Sequence, residues 1–368
     1  FNQGEGALGD LNISGNFSGS AVGILGIGNI SVGGNLTTTD SNGATAFYTS
    51  SGGSGDTAVA NIGTITIDGD VDQQDNHDKF IIINKNGNFG DINIKGGGEL
   101  GNTSSDFLTL GDIESGLVLG GSDVTGSITI TEDSSDIELS MIDINTGTLG
   151  DINIIGPGKA DTDLKISGKI GSTGAIISDI NISAFQTIQQ DAAIQGASVG
   201  NVSYITNTPT ATDNTLIDLN NFIDSGSNIG TIVLNAGVSD SSIDINTTFI
   251  DADSGDGNTE AIYITGETVI LDNDGGTVLD ANNVASINIT GTTTINGNLK
   301  AATFNSIEID GSTTFDDGVG FQSTVNLGAL EITGATAFNT TSGNPNIQLA
   351  DSGTLTFGST DFASNSGA

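Results

Sequence analysis

The eight residues "LGDINIIG" at 149–156 recur along the chain, and this repeat restricts the fold more than any other feature of the sequence. Close copies are "LGDLNISG" at 8–15 and "FGDINIKG" at 89–96. The shared pattern is an apolar residue, Gly, a polar residue, and then two apolar residues separated by one polar residue. Further copies, some of them looser, begin at residues 27, 62, 110, 177, 199, 229, 259, 284, 304 and 327.

The spacing of these copies predicts the architecture. Their mean separation is about 27 residues, and periods of about 20–50 residues are typical of solenoids, propellers and repeat arrays. The strands are short and Gly flanks them, which suits tight corners between strands. We therefore predict an all-β fold: a right-handed parallel β-helix (β-solenoid) of about 13 coils, with three short strands per coil and inserted loops. A propeller is the alternative, but the chain has no Trp and only three Tyr, whereas blades carry periodic aromatic residues.

The alternation within each copy predicts which side chains are buried. In "GDINIIG" Ile152 and Ile154 point to one side of a strand, and Asn153 points to the other. Stacked coils would bring the inward residues of successive copies into one apolar ladder. We expect this ladder to contain Ile13, Val32, Ile67, Ile94, Ile154, Ile182, Leu234, Ile264, Ile289, Ile309 and Ile332.

Changes in the rhythm of the repeat suggest three regions. Residues 1–204 are predicted to be an irregular solenoid with long loops, and residues 205–240 interrupt the rhythm. Residues 241–368 have a tighter, Thr-rich repeat, which we expect to continue the first solenoid. Because the chain starts at Phe1 and not at Met, we also expect that an upstream segment has been removed.

The charge of the chain excludes several kinds of partner. Seven Lys and Arg residues oppose 45 Asp and Glu residues, which gives a formal net charge of −38. Such a charge repels nucleic acid and anionic lipid, whose binding depends on basic side chains. No apolar run approaches the roughly 18–20 residues of a membrane-spanning helix, so we expect no membrane span. Divalent cations are the simplest means of offsetting the self-repulsion of so acidic a chain.

Clusters of acidic residues in Gly-rich stretches suggest where such cations would bind. Calcium takes six to eight oxygen ligands from flexible loops, and "DADSGDGNTE" at 251–260 resembles a calcium loop of the Asp-x-Asp kind, without being an EF-hand. For any single cluster a solvated acidic loop is the alternative, but we expect that one or two of the clusters bind an ion. The predicted Ca²⁺ ligands are Asp251, Asp253 and Asp256; Asp68, Asp70, Asp72 and Asp75; and Asp272 and Asp274, with Asp280 nearby.

The residues needed for catalysis are scarce. The chain has no Arg, and its one histidine, His77, lies among acids on a predicted loop. No nucleophile-elbow, metalloprotease or phosphate-loop motif occurs. We therefore predict that the protein is not an enzyme. A β-helix enzyme acting on polysaccharide is the weaker alternative.

The Thr-rich stretch "INITGTTTINGNLKAATFNSIEIDGSTTFDDG" at 287–318 resembles the repeats of large secreted bacterial or archaeal surface proteins, of the S-layer or filamentous-haemagglutinin-like kind. The resemblance implies an exported structure, which is secreted, extracellular or on the cell surface. The expected function is structural: a subunit of a surface layer, sheath or filament that self-associates into a polymer or lattice, with unpaired strand edges at the solenoid ends as contacts. The alternative is an adhesin that binds a glycan or surface receptor through loops such as 37–61 and 205–228.

Overall fold

A computed structural model shows the architecture of the chain. The residues that it describes are 2–3, 7–19, 21–23, 26–38, 45–49, 61–73, 79–83, 89–100, 108–110, 126–132, 136–144, 147–207, 214–251, 257–316, 321–338 and 354–361.

Every regular element in these ranges is a β-strand, and no helix occurs among them, which confirms the all-β prediction. The strands are β1 (Asn2–Gln3), β2 (Leu11–Ile13), β3 (Phe17–Ser18), β4 (Ala21–Gly23), β5 (Gly26–Ile27), β6 (Ile30–Val32), β7 (Leu36–Thr38), β8 (Thr45–Thr49), β9 (Asn61–Ile62), β10 (Ile65–Ile67), β11 (Val71–Gln73), β12 (Lys79–Ile83), β13 (Ile92–Ile94), β14 (Gly98–Leu100), β15 (Leu108–Leu110), β16 (Ile128–Thr131), β17 (Ile137–Leu139), β18 (Ile142–Ile144), β19 (Gly147–Leu149), β20 (Ile152–Ile155), β21 (Asp163–Ile166), β22 (Ile170–Gly171), β23 (Ala175–Ile177), β24 (Ile180–Phe185), β25 (Thr187–Gln190), β26 (Ile194–Gly196), β27 (Ser198–Val199), β28 (Val202–Thr206), β29 (Thr215–Leu219), β30 (Ile223–Ser225), β31 (Asn228–Ile229), β32 (Ile232–Asn235), β33 (Ser241–Ile245), β34 (Ile250–Asp251), β35 (Asn258–Asp310), β36 (Thr313–Phe315), β37 (Phe321–Phe338) and β38 (Thr354–Asp361).

The chain divides into two compact units. Unit 1 comprises Phe1–Pro157, Thr162–Ile182 and Ala192–Ala197. Unit 2 comprises Gly158–Asp161, Ser183–Asp191 and Ser198–Ala368.

In unit 1 the repeated motif forms a ladder of parallel strands. The order is β2, β6, β10, β13, β16 and β20, and each strand pairs in register with the next. Equivalent residues of successive copies therefore lie side by side. Along the inward column the pairing joins Ile13, Val32, Ile67, Ile94, Ile130 and Ile154 in that order.

Unit 2 is built in the same way. Strand β28 pairs with β32, and β32 pairs with residues 262–265 of β35. The long strand β35 continues through more than one coil, since its residues 299–309 pair with β37. Strand β37 in turn pairs with β38, again in parallel. Both units are thus parallel β-solenoids, as the repeat predicts.

Burial follows the predicted alternation. Ile152 and Ile154 are both 0% exposed, whereas Asn153 between them is half-buried. The same pattern holds in unit 2, where Ile307 and Ile309 are buried and Glu308 between them is exposed. Each buried aliphatic side chain contributes about 1.5–3 kcal/mol, so the repeated inward positions hold the stack of coils together.

The number of strands per coil differs from the prediction of three. In the middle of the chain each strand pairs with the fourth strand after it: β19 pairs with β23, β22 with β26, β27 with β31 and β28 with β32. The additional strand arises within the motif itself. In "LGDINI" Leu149 ends β19 and Ile152 begins β20, so Gly150 and Asp151 make a corner between two strands.

One predicted copy of the motif is wrong, and another was missed. Strand β13 pairs directly with β16, so the ladder passes from Ile94 to Ile130 without a copy at 110–116. Leu110 instead lies in β15, in register with Ile83 and Ile144. The missed copy is "GSITIT" at 126–131, which lacks the leading apolar residue and carries Ser127 in place of Asp or Asn.

The polar residue after the motif glycine connects one coil to the next. The side-chain oxygen Oδ1 of Asn29 accepts a hydrogen bond at 3.0 Å from the backbone N–H of Thr64, which is the equivalent residue one coil later. The same contact recurs in both units, and it explains why Asp or Asn is so common at this position. It joins Asp10 to Asn29, Asp91 to Ser127, Asp151 to Asp179 and Asn201 to Thr231.

These side chains also explain the preceding glycine. A Cβ atom added to Gly63 would lie 2.6 Å from the Oδ1 atom of Asn29, and one added to Gly230 would lie 2.7 Å from that of Asn201. Real Cβ atoms do not approach other atoms so closely. The Gly-Asp and Gly-Asn pairs of the motif are therefore coupled across coils: the carboxyl or amide of one coil fills the space that a side chain would need in the next.

Loss of this contact gives a first prediction. Asn29→Ala should destabilise unit 1 by about 1 kcal/mol, because the N–H of Thr64 loses its acceptor. Asn29→Asp keeps an oxygen in the same place, as Asp10 does one coil earlier, and should be nearly neutral. Urea unfolding of the two variants measures the difference, and equal losses in both would show that the hydrogen bond contributes nothing.

Candidate functional site

The predicted calcium cluster of Asp68, Asp70, Asp72 and Asp75 includes residues that make contacts between coils of unit 1. Asp68 and Asp70 lie exposed at the corner between β10 and β11, and Asp72 is half-buried on β11. The carboxylate of Asp68 forms an ion pair with the Nζ atom of Lys95. The backbone N–H of Asp70 donates to Oδ1 of Asn35 at 3.3 Å. Asp75 lies outside the described residues, as does His77.

The structure places Asp251 beside acids that are distant in sequence. Asp253 and Asp256 lie outside the described residues, but Asp251 ends strand β34. In the parallel pairing Asp251 lies opposite Asp224 of β30 on one side and opposite Asp280 of β35 on the other. We call these three residues the Asp column. Its members occupy one register position in three successive coils of unit 2.

Lys300 forms an ion pair with Asp280, the residue at one end of the Asp column. The Nζ atom of Lys300 lies 2.9 Å from Oδ2 of Asp280, and both side chains are about half exposed, at 45% and 44%. An exposed ion pair of this kind contributes little to stability. It places one positive charge against the carboxylate of Asp280.

The third predicted cluster belongs to a second column. Asp272 is half-buried on β35, and it accepts a hydrogen bond from Nδ2 of Asn296 at 2.9 Å. The side chains of Asp274 and Asp251 lie outside the part of the chain that the structure describes. Elsewhere in unit 2 the Nδ2 atom of Asn220 donates to Oδ1 of Asp191 at 3.0 Å. The Nδ2 atom of Asn246 in turn lies 3.2 Å from Oδ1 of Asn220. Asn246 and Asp272 directly follow Ile245 and Leu271, which pair in register on adjacent strands. We call this series of carboxylates and amides the Asx column; its members are Asp191, Asn220, Asn246, Asp272 and Asn296.

Two further carboxylates lie directly beside the Asx column. Asp218 of β29 and Asp244 of β33 are in register on adjacent strands. Asp218 accepts hydrogen bonds from Nδ2 of Asn246 at 3.1 Å and from Nδ2 of Asn220 at 3.0 Å. The Oδ1 atom of Asp244 is buried and accepts no hydrogen bond from any described residue.

The two columns differ in what they offer to a metal ion. Among the side chains that the structure describes, no three His, Cys, Asp or Glu residues converge on one point where an ion could bind. The Asp column instead repeats carboxylates at the strand spacing of about 4.8 Å. Calcium–oxygen distances of about 2.3–2.6 Å allow one ion to bridge two oxygens that far apart. The Asp column thus repeats one residue type from coil to coil, whereas the Asx column mixes carboxylates with amides that already bond to its other members.

The interior of unit 2 holds a polar pair that has a structural role. Tyr204 is 0% exposed, and its hydroxyl donates to Oε1 of Gln190 at 2.8 Å. The Nε2 atom of Gln190 donates to the backbone carbonyl of Asn221 at 3.3 Å. Burial raises the pKa of Tyr204 above its ordinary value, so the phenol stays protonated and keeps donating. The pair satisfies polar groups within the core.

Comparison with protein-family models, with curated proteins and with solved structures yields no match for this chain. The described residues include no helix that is long and apolar enough to cross a membrane.

Proposed function

We propose that the protein is a structural, self-associating component of an extracellular or cell-surface assembly, such as a surface layer, sheath or filament. On this proposal it is secreted, its partners are further copies of the same chain, and divalent cations, above all Ca²⁺, hold the copies together. It carries out no catalysis.

One observation carries the proposal: the coils of unit 2 present carboxylates and amides in columns, at one register position per coil. The Asp column and the Asx column both have this regularity. A periodic row of oxygen ligands suits repeated contacts with an identical row on another copy. A pocket for a single small ligand would instead need convergent groups at one place.

The charge of the chain explains why a cation is part of the proposal. Two copies with a formal charge of −38 each repel one another, and monovalent salt only screens that repulsion. A calcium ion shared between carboxylates of facing columns replaces the repulsion with direct coordination. The ion pair of Lys300 with Asp280 is the intramolecular counterpart of such a contact.

Sedimentation velocity of the full chain tests the proposal. In a chelator the protein should sediment as a monomer, and millimolar CaCl₂ should produce larger species whose amount rises with protein concentration. NaCl at equal ionic strength should have a much smaller effect, and added chelator should reverse the association. A full-length chain that stays monomeric in calcium at high concentration would contradict the proposal and favour the adhesin alternative.

A pair of matched variants assigns the effect to the Asp column. Asp224→Asn with Asp280→Asn removes two charges from the column and should raise the calcium concentration needed for association about tenfold. Glu260→Gln with Asp310→Asn removes two exposed charges of unit 2 that do not share a register position, and should change it by less than about twofold. Equal shifts in both double variants would show that net charge alone controls association.

A further inference from the structure

Asp218 and Asp244 lie opposite each other on adjacent strands of unit 2, and they differ in how their carboxylate oxygens are hydrogen-bonded. Both oxygens of Asp218 accept hydrogen bonds from asparagine amides, at 3.0 and 3.1 Å. The Oδ1 atom of Asp244 is buried without any such donor among the described residues. A buried acceptor beside a second carboxylate is unfavourable when both groups are ionised.

We propose that Asp218 and Asp244 form a proton-sensitive contact between two neighbouring coils, which strengthens when Asp244 binds a proton and weakens when both carboxyls are ionised. A protonated Asp244 can donate its O–H to an adjacent acceptor, and the repulsion between two charges in register disappears. This inference concerns the stability of unit 2 and does not depend on self-association.

No basic group offsets these charges on the strands packed around Asp244. On one side β29 contributes Asp218, with Asp191 beyond it in the Asx column. On the other side β35 places Ile270 opposite Asp244, and its nearest titratable residue along that segment is Asp272. Neither β25, β29, β33 nor residues 268–272 of β35 contain a lysine. Every titratable neighbour is therefore another acid.

The electrostatic surroundings agree with this geometry. Burial, and then the charge of Asp218, raise the pKa of Asp244 above its ordinary value of 3.8. A group whose pKa is raised by folding favours the folded state most when it is protonated. Its favourable contribution is fully present below pH 3.8 and is lost as the pH rises through the raised pKa in the folded state. Mild acidification should therefore increase the stability of unit 2 through this pair. A typical carboxylate behaves in the opposite way, because it loses its stabilising interactions when it is protonated.

Thermal unfolding of the full chain between pH 4.5 and 8, followed by far-UV circular dichroism, tests the inference. Asp244→Asn should raise the melting temperature at pH 7.5 by about 2–4 °C, because an uncharged amide replaces the half-buried carboxylate and can donate to Asp218. The gain should shrink as the pH falls toward 4.5, because Asp244 of the wild type takes up protons at a higher pH than an ordinary Asp does.

The control is Glu308→Gln, which removes one charge from another pair of acids in register, Glu308 and Glu331, both of which are exposed. Its effect should be small and nearly independent of pH. The inference is overturned if Asp244→Asn lowers the melting temperature at pH 7.5, if its gain does not depend on pH, or if Glu308→Gln reproduces it.

Discussion

Ile154→Asp is expected to destabilise unit 1 by at least about 3 kcal/mol, because it places an unpaired carboxylate in the buried ladder. Ile154 is 0% exposed and lies in register with Ile130 of the preceding coil. The side chains paired in this inward column, from Ile13 to Ile154, are all aliphatic, so none of them can form a hydrogen bond with the introduced carboxylate. Urea denaturation followed by far-UV circular dichroism should show a large fall in the midpoint for strand loss.

The neighbouring position provides the control. Asn153 points outward, and its Oδ1 atom accepts a hydrogen bond at 3.1 Å from Nδ2 of Asn181. Asn153→Asp keeps that oxygen, so the change in the free energy of unfolding should stay within about 0.5 kcal/mol. Similar losses at positions 153 and 154 would mean that the inward and outward faces are assigned wrongly.

Gly63→Ala should lower the free energy of unfolding of unit 1 by about 2–3 kcal/mol. The added Cβ would lie 2.6 Å from Oδ1 of Asn29, 2.9 Å from its backbone nitrogen and 2.9 Å from the carbonyl carbon of Gly28. Two of these three atoms belong to the backbone of the adjacent coil. They can move only if the coils separate, so one methyl group disrupts the stacking.

Gly9→Ala is the matched control because Gly9 occupies the same position of the motif, in "LGDLNISG". A Cβ added to Gly9 meets no atom within 4 Å. Its substitution should be neutral or slightly stabilising, since Ala restricts the unfolded chain more than Gly does. Chemical denaturation of both variants gives the comparison. If Gly63→Ala changes the stability as little as Gly9→Ala does, then the coils do not approach each other closely at Gly63.

Much of the fold follows from the sequence because one physical pattern is repeated many times. The alternation around Ile154 predicts which side chains are buried, and the recurrence of the motif predicts which residues of successive coils stack on one another. The corner at Gly150 and Asp151 could not be recognised in the same way. Because an apolar residue stands on each side of this corner, the segment looks in the sequence like one continuous strand. The hydrogen bond that Oδ1 of Asp151 accepts from the backbone N–H of Asp179, one coil later, shows that Gly150 and Asp151 form a turn.

The candidate site was harder to predict because its members are neighbours only across coils. Local clustering singled out Asp251 with Asp253 and Asp256, whereas the pairing brings Asp251 to Asp224 and Asp280. Asp218 and Asp244 were missed for the same reason. Their signal lies in the separation of 26–29 residues between acids at equivalent positions, and it becomes visible only when the copies of the repeat are aligned on the correct corners.

Successive coils place these acids in columns, and disulfide cross-linking can detect that arrangement because the chain contains no Cys of its own. In-register neighbours lie about 4.8 Å apart, within the Cα separation that a disulfide spans, whereas residues two coils apart are separated by about twice that distance. Mild oxidation should therefore cross-link Asp224→Cys with Asp251→Cys, and Asp251→Cys with Asp280→Cys, within one chain. Peptide mapping should find no such bond for Asp224→Cys with Asp280→Cys. If that pair cross-links as readily as the adjacent pairs, or if the adjacent pairs do not cross-link, then the columns do not exist and the proposals built on them fail.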